Sequence, residues 1–372
     1  MASIERQPSG RWRARWRSPD GGSRSKTFGR KVDAQRFLLE IEHSKEHRSY
    51  VDPRSGRVRF AIFAKQWLDA QTFDPSTAEA VASRLRVHIN PFLGELELAR
   101  IKPSTIQGWL RGRQEKLAPR YVRLLLAHVN TILSAAVDDD VIAKNPCATR
   151  AVRAPSVEQR KVIPWTHEAV AAVIDALPPR YRAIAVVAAG AGLRQGEVFG
   201  LRVADVDFLG RGLHVRQQIK LINGKPTPAP PKRTKTRDVP LADVVAVALS
   251  EHLRSYEPQK GLFFTTRERQ PLARTYFNSF IWKPALLRAG IAPTRDNGMH
   301  ALRHYFASVL LDAGESIRAV SDYLGHSDPG FTLRTYTHLM PSSEERARRA
   351  IDAIFESARV KNVSQRAFLN RV

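Results

Sequence analysis

The second half of the chain carries arginine, lysine, histidine and tyrosine side chains in four short patches. They lie at residues 191–197, 231–237 and 300–304, and at 324–326 with a tyrosine ten residues further on. Guanidinium groups can donate paired hydrogen bonds to phosphate oxygens. Fixed donors of this kind stabilise the negative charge that grows as a nucleophile adds to phosphorus. These clusters of cationic donors therefore favour a site that binds a phosphate-bearing polyanion.

Other catalytic chemistries find little support in the sequence. There is no His-Glu-x-x-His motif, and no pattern of acidic residues plainly builds a two-metal nuclease site. The acidic run at residues 138–140 stands at the end of a predicted helix, where it is interpreted as solvated or as a helix cap. No Walker loop is present, so the sequence does not imply ATP.

The composition predicts a folded, basic protein of several domains. The chain has 372 residues, 43% of them hydrophobic, which is typical of about two or three domains. Its 60 Lys and Arg exceed its 36 Asp and Glu and give a net charge of +24. A chain this basic is expected to bind a polyanion, and nucleic acid is the first candidate. The single cysteine, Cys147, excludes an intramolecular disulfide and a cysteine-based zinc module.

No secretory or membrane-spanning segment is predicted. Residues 1–30 are rich in arginine and lack an apolar core. The longest apolar stretch, residues 183–193, is too short for a bilayer, which needs about 20 residues. We therefore expect a soluble, cytosolic protein.

The most basic segment is the N-terminal one, and its charges alternate with apolar residues. In a strand, Trp12 and Trp16 share one face while the arginines share the other. A second strand over residues 23–28 and a helix over residues 33–47 are predicted to follow. An arginine-lined sheet backed by a helix is suited to a DNA groove, although a merely solvated face remains the alternative. The candidate DNA-binding residues are Arg11, Arg13, Arg15, Arg17, Arg24 and Lys26.

The rest of the chain is predicted to be mainly helical. Residues 48–59 and 150–162 are interpreted as linkers, and between them helical periodicity predicts four or five helices. After the second linker, strands are predicted over residues 214–221 and 237–241, joined by a turn-rich connection at 223–231. Helices are predicted over residues 166–177, 180–191, 242–256, 275–289, 299–313, 316–324, 329–339 and 344–360.

The order Arg, Lys, His-x-x-Arg, His, Tyr over the four patches resembles the tyrosine recombinase family, in particular the bacteriophage-type integrases. Each patch alone is a weak signal, but all of them occur in the family's order. The resemblance implies a multidomain fold that is mainly α with small β-sheets. It would comprise a ββ(β)α arm-type DNA-binding domain at 1–58, an all-α core-binding domain at 59–152 and an α+β catalytic domain at 160–343. Residues 344–372 would form a C-terminal helix and tail that dock a neighbouring protomer.

The resemblance also implies roles for individual residues. Arg194 and Arg303 would bind the scissile phosphate, and Tyr336 would attack it, leaving a 3′-phosphotyrosyl link and a free 5′-hydroxyl. His300 would act on the tyrosine proton, and His326 would donate to a phosphate oxygen. The remaining roles are a supporting carboxylate, Glu197, and a lysine that protonates the leaving oxygen, for which spacing favours Lys232 over Lys235. His304 and His338 are interpreted as structural.

The function implied is that of a site-specific DNA recombinase that integrates or excises a phage or other mobile element without a cofactor. Its partners would be double-stranded DNA at core and arm sites and three further copies of itself in a tetramer on that DNA. A host DNA-bending factor and a directionality factor are further candidate partners, and no membrane is expected. The expected location is the bacterial cytosol, at the nucleoid. Two alternatives stay open, a type IB topoisomerase-like enzyme and a catalytically silent DNA-binding protein.

Overall fold

The computed structural model describes residues 2–18, 21–46, 51–52, 55–158, 162–232, 235–326, 328–336, 348 and 351–352. The chain divides into two compact units, Met1–Gln159 and Arg160–Val372. Within the described ranges, no helix has the length and apolar character needed to cross a membrane.

The first unit begins with a three-stranded antiparallel sheet covered by one helix. Its strands are β1 (Ser3–Arg6), β2 (Trp12–Arg17) and β3 (Ser23–Phe28), in the order β1-β2-β3, and α1 (Lys31–Glu46) follows. Alternation along β2 buries Ala14 and Trp16 against Ala34, Leu38 and Ile41 of the helix. The predicted ββ(β)α fold of this segment is confirmed.

Helices make up the remainder of the first unit. They are α2 (Phe60–Asp69), α3 (Pro75–Arg84), α4 (Asn90–Leu93), α5 (Pro103–Gln114) and α6 (Pro119–Asp138), and a π-helical segment (Leu85–Ile89) joins α3 to α4. Proline occupies the first helical position of α3, α5 and α6, where its missing N–H costs no hydrogen bond. The apolar stripe of α6, from Val122 to Ala136, forms the centre of this core.

The segment before α2 packs on the helices that follow it. The Ser55 hydroxyl donates to the Val141 carbonyl at 3.1 Å. Gly56 is buried, and a Cβ placed there would lie 2.7 Å from Cβ of Ala99. Residues 55–57 form a short 3-10 turn, so the described part of the predicted first linker is ordered against the helical core.

The second unit opens with helices α7 (His167–Ala176), α8 (Pro179–Ala191) and α9 (Gln195–Phe199). Two small sheets follow. Strands β4 (Val206–Asp207), β5 (Gly212–Val215) and β8 (Arg237–Pro240) form one, and β6 (Gln218–Ile222) pairs with β7 (Lys225–Ala229) in the other. The expectation of one strand over residues 214–221 is wrong, because β5 ends at Val215 and β6 begins at Gln218 in a different sheet. The turn-rich connection expected at residues 223–231 contains the strand β7.

The remaining helices of the second unit are α10 (Asp243–Ser255), α11 (Arg274–Tyr276), α12 (Lys283–Arg288), α13 (His300–Asp312), α14 (Ile317–Leu324) and α15 (Pro329–Tyr336). A π-helical segment (Phe277–Trp282) joins α11 to α12. Small side chains such as Ala185 and Ala188 let α8 pack closely between α10 and α13. The predicted fold class, mainly α with small sheets, is confirmed. The helix expected over 344–360 lies almost entirely outside the described residues.

Candidate active site

Arg194 stands at a tight reversal between α8 and α9. The reversal is made by Gly192, whose backbone has φ +63°. A Cβ at that position would lie 2.3 Å from the Phe306 ring, so both the backbone conformation and the available space require glycine. The reversal points the backbone N–H of Arg194 at Glu197, whose Oε2 accepts it at 2.8 Å.

Glu197 is buried between two arginines. Its Oε1 accepts from Arg194 at 2.8 Å and from Arg237 at 3.0 Å, and its Oε2 accepts from Arg237 at 2.7 Å. Burial alone would raise the pKa of Glu197. The hydrogen bonds and charge of Arg237, together with the charge of Arg194, outweigh that effect and bring the pKa to about 2. Glu197 is therefore ionised at neutral pH, as its expected supporting role requires.

Arg303, on the first turn of α13, is almost completely buried. One of its terminal nitrogens donates to the Gly192 carbonyl at 2.7 Å, and the other donates to the Leu324 carbonyl. The second nitrogen also lies 3.1 Å from Nε2 of His326. Burial and the nearby charge of Arg194 lower the pKa of Arg303 to about 9, which leaves the group charged at neutral pH.

The last carbonyls of α14 bind three arginines in turn. The carbonyls of residues 323, 324 and 325 accept from Arg237, Arg303 and Arg194. Carbonyls at a helix C-terminus lack partners within the helix and carry the negative end of its dipole. The end of α14 therefore gathers the three cations into one cluster.

His326 is neutral and fixed in one tautomer by its neighbours. A guanidinium can only donate, so Nε2 accepts from Arg303 and the ring proton lies on Nδ1, 2.7 Å from the Thr332 hydroxyl. Burial and the charges of Arg303 and Arg194 lower the pKa of His326 to about 3. In this arrangement Nε2 carries no proton, so donation to phosphate requires a change of partner or tautomer.

His300 lies on the same helix as Arg303, one turn before it. Burial, followed by the charges of Arg303, Arg194 and Arg274, lowers its pKa to about 4. It is therefore a neutral imidazole at pH 7. Its ring centroid lies 4.5 Å from that of His304.

Tyr336 hydrogen-bonds to His304, which the sequence interpretation left without a catalytic role. The phenol oxygen lies 2.6 Å from Nδ1 of His304, and the tyrosine side chain is only 2% exposed. Burial raises the pKa of Tyr336 to about 12, although the charge of Arg303 acts to lower it. The expected nucleophile is thus protonated and enclosed in this structure.

Arg194 and Arg303 line a pocket of about 460 Å³ in the second unit. Tyr336 is not among its lining residues, which are Arg194, Lys232, Lys235, His300, Arg303, Gly325, His326, Asp328, Phe331 and Arg334. Both lysines are exposed and line the pocket, so either could reach a phosphate bound there. The structure thus brings five of the six predicted catalytic residues to one cavity, and the sixth, Tyr336, does not line it.

Arg237 and His304 contact the predicted catalytic residues, but the sequence assigns neither of them a catalytic role. Arg237 ends the basic patch at residues 231–237 and begins a predicted strand, and a charged residue beside buried strand positions needs a partner. His304 follows His300 by four residues, so helical spacing already places the two imidazoles on one face. Among the described residues, no group of three His, Cys, Asp or Glu side chains could hold a metal ion.

In the first unit, β2 presents arginines on the sheet face opposite α1. Arg13 and Arg15 alternate with the buried Ala14 and Trp16, and both approach Glu5 on β1, at 3.6 and 3.1 Å. Arg11 and Arg17 are also exposed, before and at the end of the strand. The arginine-lined face expected from the alternation is therefore present.

Arg24 and Lys26 do not join that face. In the antiparallel register they stand directly opposite Trp16 and Ala14, so their side chains project to the side that carries α1. The ammonium of Lys26 lies 4.6 Å from the ring centroid of Phe37 on that helix. The structure thus separates the six candidate DNA-binding residues into two groups on opposite faces.

Three family models match successive parts of the chain. The model of the phage integrase N-terminal domain matches residues 2–47, and the phage integrase central domain matches residues 60–152. The model of the phage integrase family matches residues 165–343, which contain every residue of the pocket.

Curated relatives and solved structures agree with these matches. A XerC-like tyrosine recombinase of Caldanaerobacter subterraneus is 28% identical over 76% of this chain and 78% of its own. The integrase of Mycobacterium phage L5 is 24% identical over 89% of this chain and 92% of its own.

Among solved structures, the Tn1549 transposon integrase in complex with circular intermediate DNA has a TM-score of 0.68 at 20% identity, covering 79% of this chain and 98% of the other. A lambda integrase tetramer bound to a Holliday junction has a TM-score of 0.59 at 15% identity, covering 88% of this chain and 96% of the other. These likenesses show a common fold. The three consecutive matches and the related recombinases show that the chain belongs to the phage integrase family of tyrosine recombinases.

Proposed function

We propose that this protein is a site-specific recombinase that cuts and rejoins DNA with Tyr336 as its nucleophile, in order to integrate or excise a phage or other mobile element. The pocket is the observation that supports this most directly. Arg194 and Arg303 line it together with His300, His326 and two lysines. Several hydrogen-bond donors in a partly enclosed cavity can stabilise the negative charge that grows on the oxygens of a pentavalent phosphorus as a phosphodiester is attacked.

In the proposed reaction, the Tyr336 oxygen attacks the phosphorus of the scissile phosphodiester and the bond from phosphorus to the 5′-oxygen breaks. The phenol proton passes to a neighbouring imidazole, and the leaving oxygen takes a proton from Lys232. The product is a 3′-phosphotyrosyl link and a 5′-hydroxyl. When a 5′-hydroxyl from another strand attacks that link, the same steps run in reverse. Since the covalent link conserves the bond energy, no ATP is consumed.

The nucleophile must leave His304 before it can attack. Tyr336 is enclosed and protonated in this structure, whereas the phosphate-binding donors face the pocket. DNA binding is proposed to favour a second position of α15 in which the phenol reaches the pocket. A ligand can shift such an equilibrium only if it binds the second state more tightly, and a phosphate contacted by the hydroxyl provides that difference.

The proposal also assigns a separate function to each domain of the chain. Residues 1–58 would bind arm DNA through Arg11, Arg13, Arg15 and Arg17, residues 59–152 would bind core DNA, and residues 160–343 would cut it. The ranges matched by the three family models support these boundaries. Four protomers would assemble on the DNA through residues 344–372, a proposal supported by the tetrameric lambda integrase of similar fold.

Further factors complete the proposed reaction in the cell. A host DNA-bending protein would assist the reaction, and a directionality factor would be needed for excision. The site of action would be the nucleoid of a bacterial cytosol, where the element and its target meet.

A nicked DNA substrate tests the proposal. When the duplex carries the element's end sequence with a nick close to the cleavage site, the short leaving strand diffuses away and the covalent complex accumulates. Wild-type protein is expected to become attached through a 3′-phosphate. Tyr336→Phe is expected to bind the same DNA without attaching.

Attachment by Tyr336→Phe would refute the assignment of the nucleophile. A pair of intact attachment sites separates a recombinase from a topoisomerase, because only a recombinase exchanges the flanking DNA. Strand exchange is expected for the wild type, and supercoil relaxation without exchange would favour the topoisomerase.

A further inference from the structure

Arg237 contacts the site without lining the pocket. We propose that it is a positioning residue for DNA cleavage, which sets Arg194 through Glu197 and sets the turn before His326 through the end of α14. The inference rests on the proposed function, because it concerns how the same pocket is held in shape. Arg237 would touch neither the phosphate nor the nucleophile.

The first contact runs through Glu197. Two terminal nitrogens of Arg237 bind the two carboxylate oxygens at 3.0 and 2.7 Å in a bidentate pair. The same two oxygens hold Arg194, one through its guanidinium and one through its backbone N–H, each at 2.8 Å. All four of these hydrogen bonds meet on one buried carboxylate, so the orientation of Glu197 determines where the guanidinium of Arg194 points.

The second contact runs through the end of α14. The Nε of Arg237 donates to the Tyr323 carbonyl at 2.6 Å. Gly325, two residues later, has φ +62°, and a Cβ there would approach the Arg237 side chain to 3.0 Å. The chain therefore packs directly on Arg237 just before it reaches His326. Arg237 ties β8 to α14 at the point where that helix delivers an imidazole to the pocket.

Only an arginine can make both contacts at once. A planar guanidinium offers a bidentate edge to a carboxylate and keeps a further N–H for a carbonyl. A lysine ammonium is a single point donor and would have to choose between Glu197 and the carbonyl of α14. The side chain of Arg237 is 5% exposed, so water could not replace the lost contact freely.

Charge balance alone is the competing explanation, since Glu197 is a buried anion. A lysine at position 237 keeps the positive charge but cannot make the bidentate pair with Glu197 and the hydrogen bond to the Tyr323 carbonyl at the same time. The double variant Glu197→Gln/Arg237→Met removes both charges and avoids an unpaired buried ion. These two variants separate positioning from neutralisation.

The rate of covalent attachment to nicked DNA is the measurement, with DNA affinity measured in parallel. Arg237→Lys and the double variant are each expected to slow attachment by about 100-fold, because a displacement of about 1 Å in a catalytic group can cost that much. DNA affinity is expected to change by no more than about twofold, since Arg237 lies outside the pocket lining. A substrate with a methylphosphonate at the scissile position provides the second readout.

The methylphosphonate removes one of the negative charges that Arg194 is proposed to counter. The defect of Arg237→Lys is therefore expected to shrink at least about tenfold on this substrate. A general folding defect would slow both reactions equally, and that result would overturn the inference. So would wild-type attachment rates in Arg237→Lys, or restored rates in the double variant.

Arg202→Lys is the matched control. Arg202 makes a similar bidentate pair with the buried carboxylate of Asp205, at 2.8 and 2.9 Å, but does not line the pocket. It is expected to attach at the wild-type rate. If wild-type protein fails to attach to any substrate, the proposed function fails. If wild type attaches and Arg237→Lys matches it, only the present inference fails.

Discussion

The phenol oxygen of Tyr336 lies 2.6 Å from Nδ1 of His304, the residue that directly follows Arg303 on α13. The helix that carries Arg303, which is proposed to bind the phosphate, thus also holds the proposed nucleophile. Because the hydroxyl is hydrogen-bonded to His304 and the residue is 2% exposed, this contact favours a state in which Tyr336 cannot reach a phosphate in the pocket. Catalysis by this arrangement requires that the hydrogen bond break.

Loss of the His304 imidazole is expected to speed cleavage by protein that has not assembled. A net hydrogen bond contributes about 1 kcal/mol, so His304→Ala should raise the rate of attachment to a nicked half-site by about fivefold. His167→Ala is the control, because its Nδ1 lies 2.9 Å from the Tyr305 hydroxyl in a comparable pair away from the pocket. Slower attachment in His304→Ala would instead identify this imidazole as the proton acceptor.

Stability is expected to fall as the pH is lowered from about 6.5 to about 4. His300 and His304 have pKa values near 4 in the folded chain, against an ordinary value of 6.5. In that window the unfolded chain binds more protons than the folded chain, so acid favours unfolding. These two groups contribute no further change above it.

The urea midpoint at pH 7.5, 6 and 5 measures this effect. The double variant His300→Gln/His304→Gln should show a smaller drop, and an equal drop would contradict the assignment. Glu197 acts at lower pH, because its folded pKa is about 2 against 4.5. Its stabilising contribution is therefore lost between pH 4.5 and 2.

Glycine at position 192 is expected to be indispensable for the fold around Arg194. Gly192→Ala adds a Cβ 2.3 Å from Phe306 at φ +63° and should lower the free energy of unfolding by about 3 kcal/mol. Gly290→Ala separates the two causes, since Gly290 has φ +72° with no atom within 4 Å of the added Cβ. It should cost only about 1 kcal/mol. Equal losses in thermal or urea unfolding would show that packing contributes nothing.

A phosphorothiolate substrate should distinguish the two lysines. Both line the pocket, and replacement of the lysine that protonates the leaving oxygen should slow cleavage strongly. A sulfur at the bridging 5′ position leaves as a thiolate and needs no proton, so it should restore the rate of that variant alone. We expect rescue of Lys232→Ala and no rescue of Lys235→Ala. The reverse pattern would transfer the role to Lys235.

The two groups of N-terminal cations should differ in DNA binding. Arg13→Ala and Arg15→Ala should each weaken binding to arm-site duplex and reduce the slope of log K against log salt by about 1. Arg24→Met and Lys26→Met should leave that slope unchanged, because these side chains project to the face that carries α1. A salt-dependence titration of all four variants checks this. Equal slopes for the two groups would show that the face does not matter.

The sequence was sufficient to predict secondary structure where a pattern within a few neighbouring residues determines it. Alternation along residues 11–17 predicted a strand with an arginine face, since side chains of a strand alternate by geometry. Helical periodicity predicted a helix over residues 180–191, and α8 spans Pro179–Ala191. The same local signal failed at residues 214–221, because alternation continues through Arg216 and Gln217 while the backbone passes from one sheet to another.

The types and order of the site residues were also available from the sequence, since charge and nucleophilicity belong to the side chains themselves. Which groups meet was decided only by the tertiary structure. Arg237 lies 40 residues from Glu197, and no periodicity specifies that its guanidinium turns toward that carboxylate. The pairing of Tyr336 with His304 likewise depends on the packing of α15 against α13. Sequence thus determined the chemistry that is possible, and packing of distant elements determined the state in which it is held.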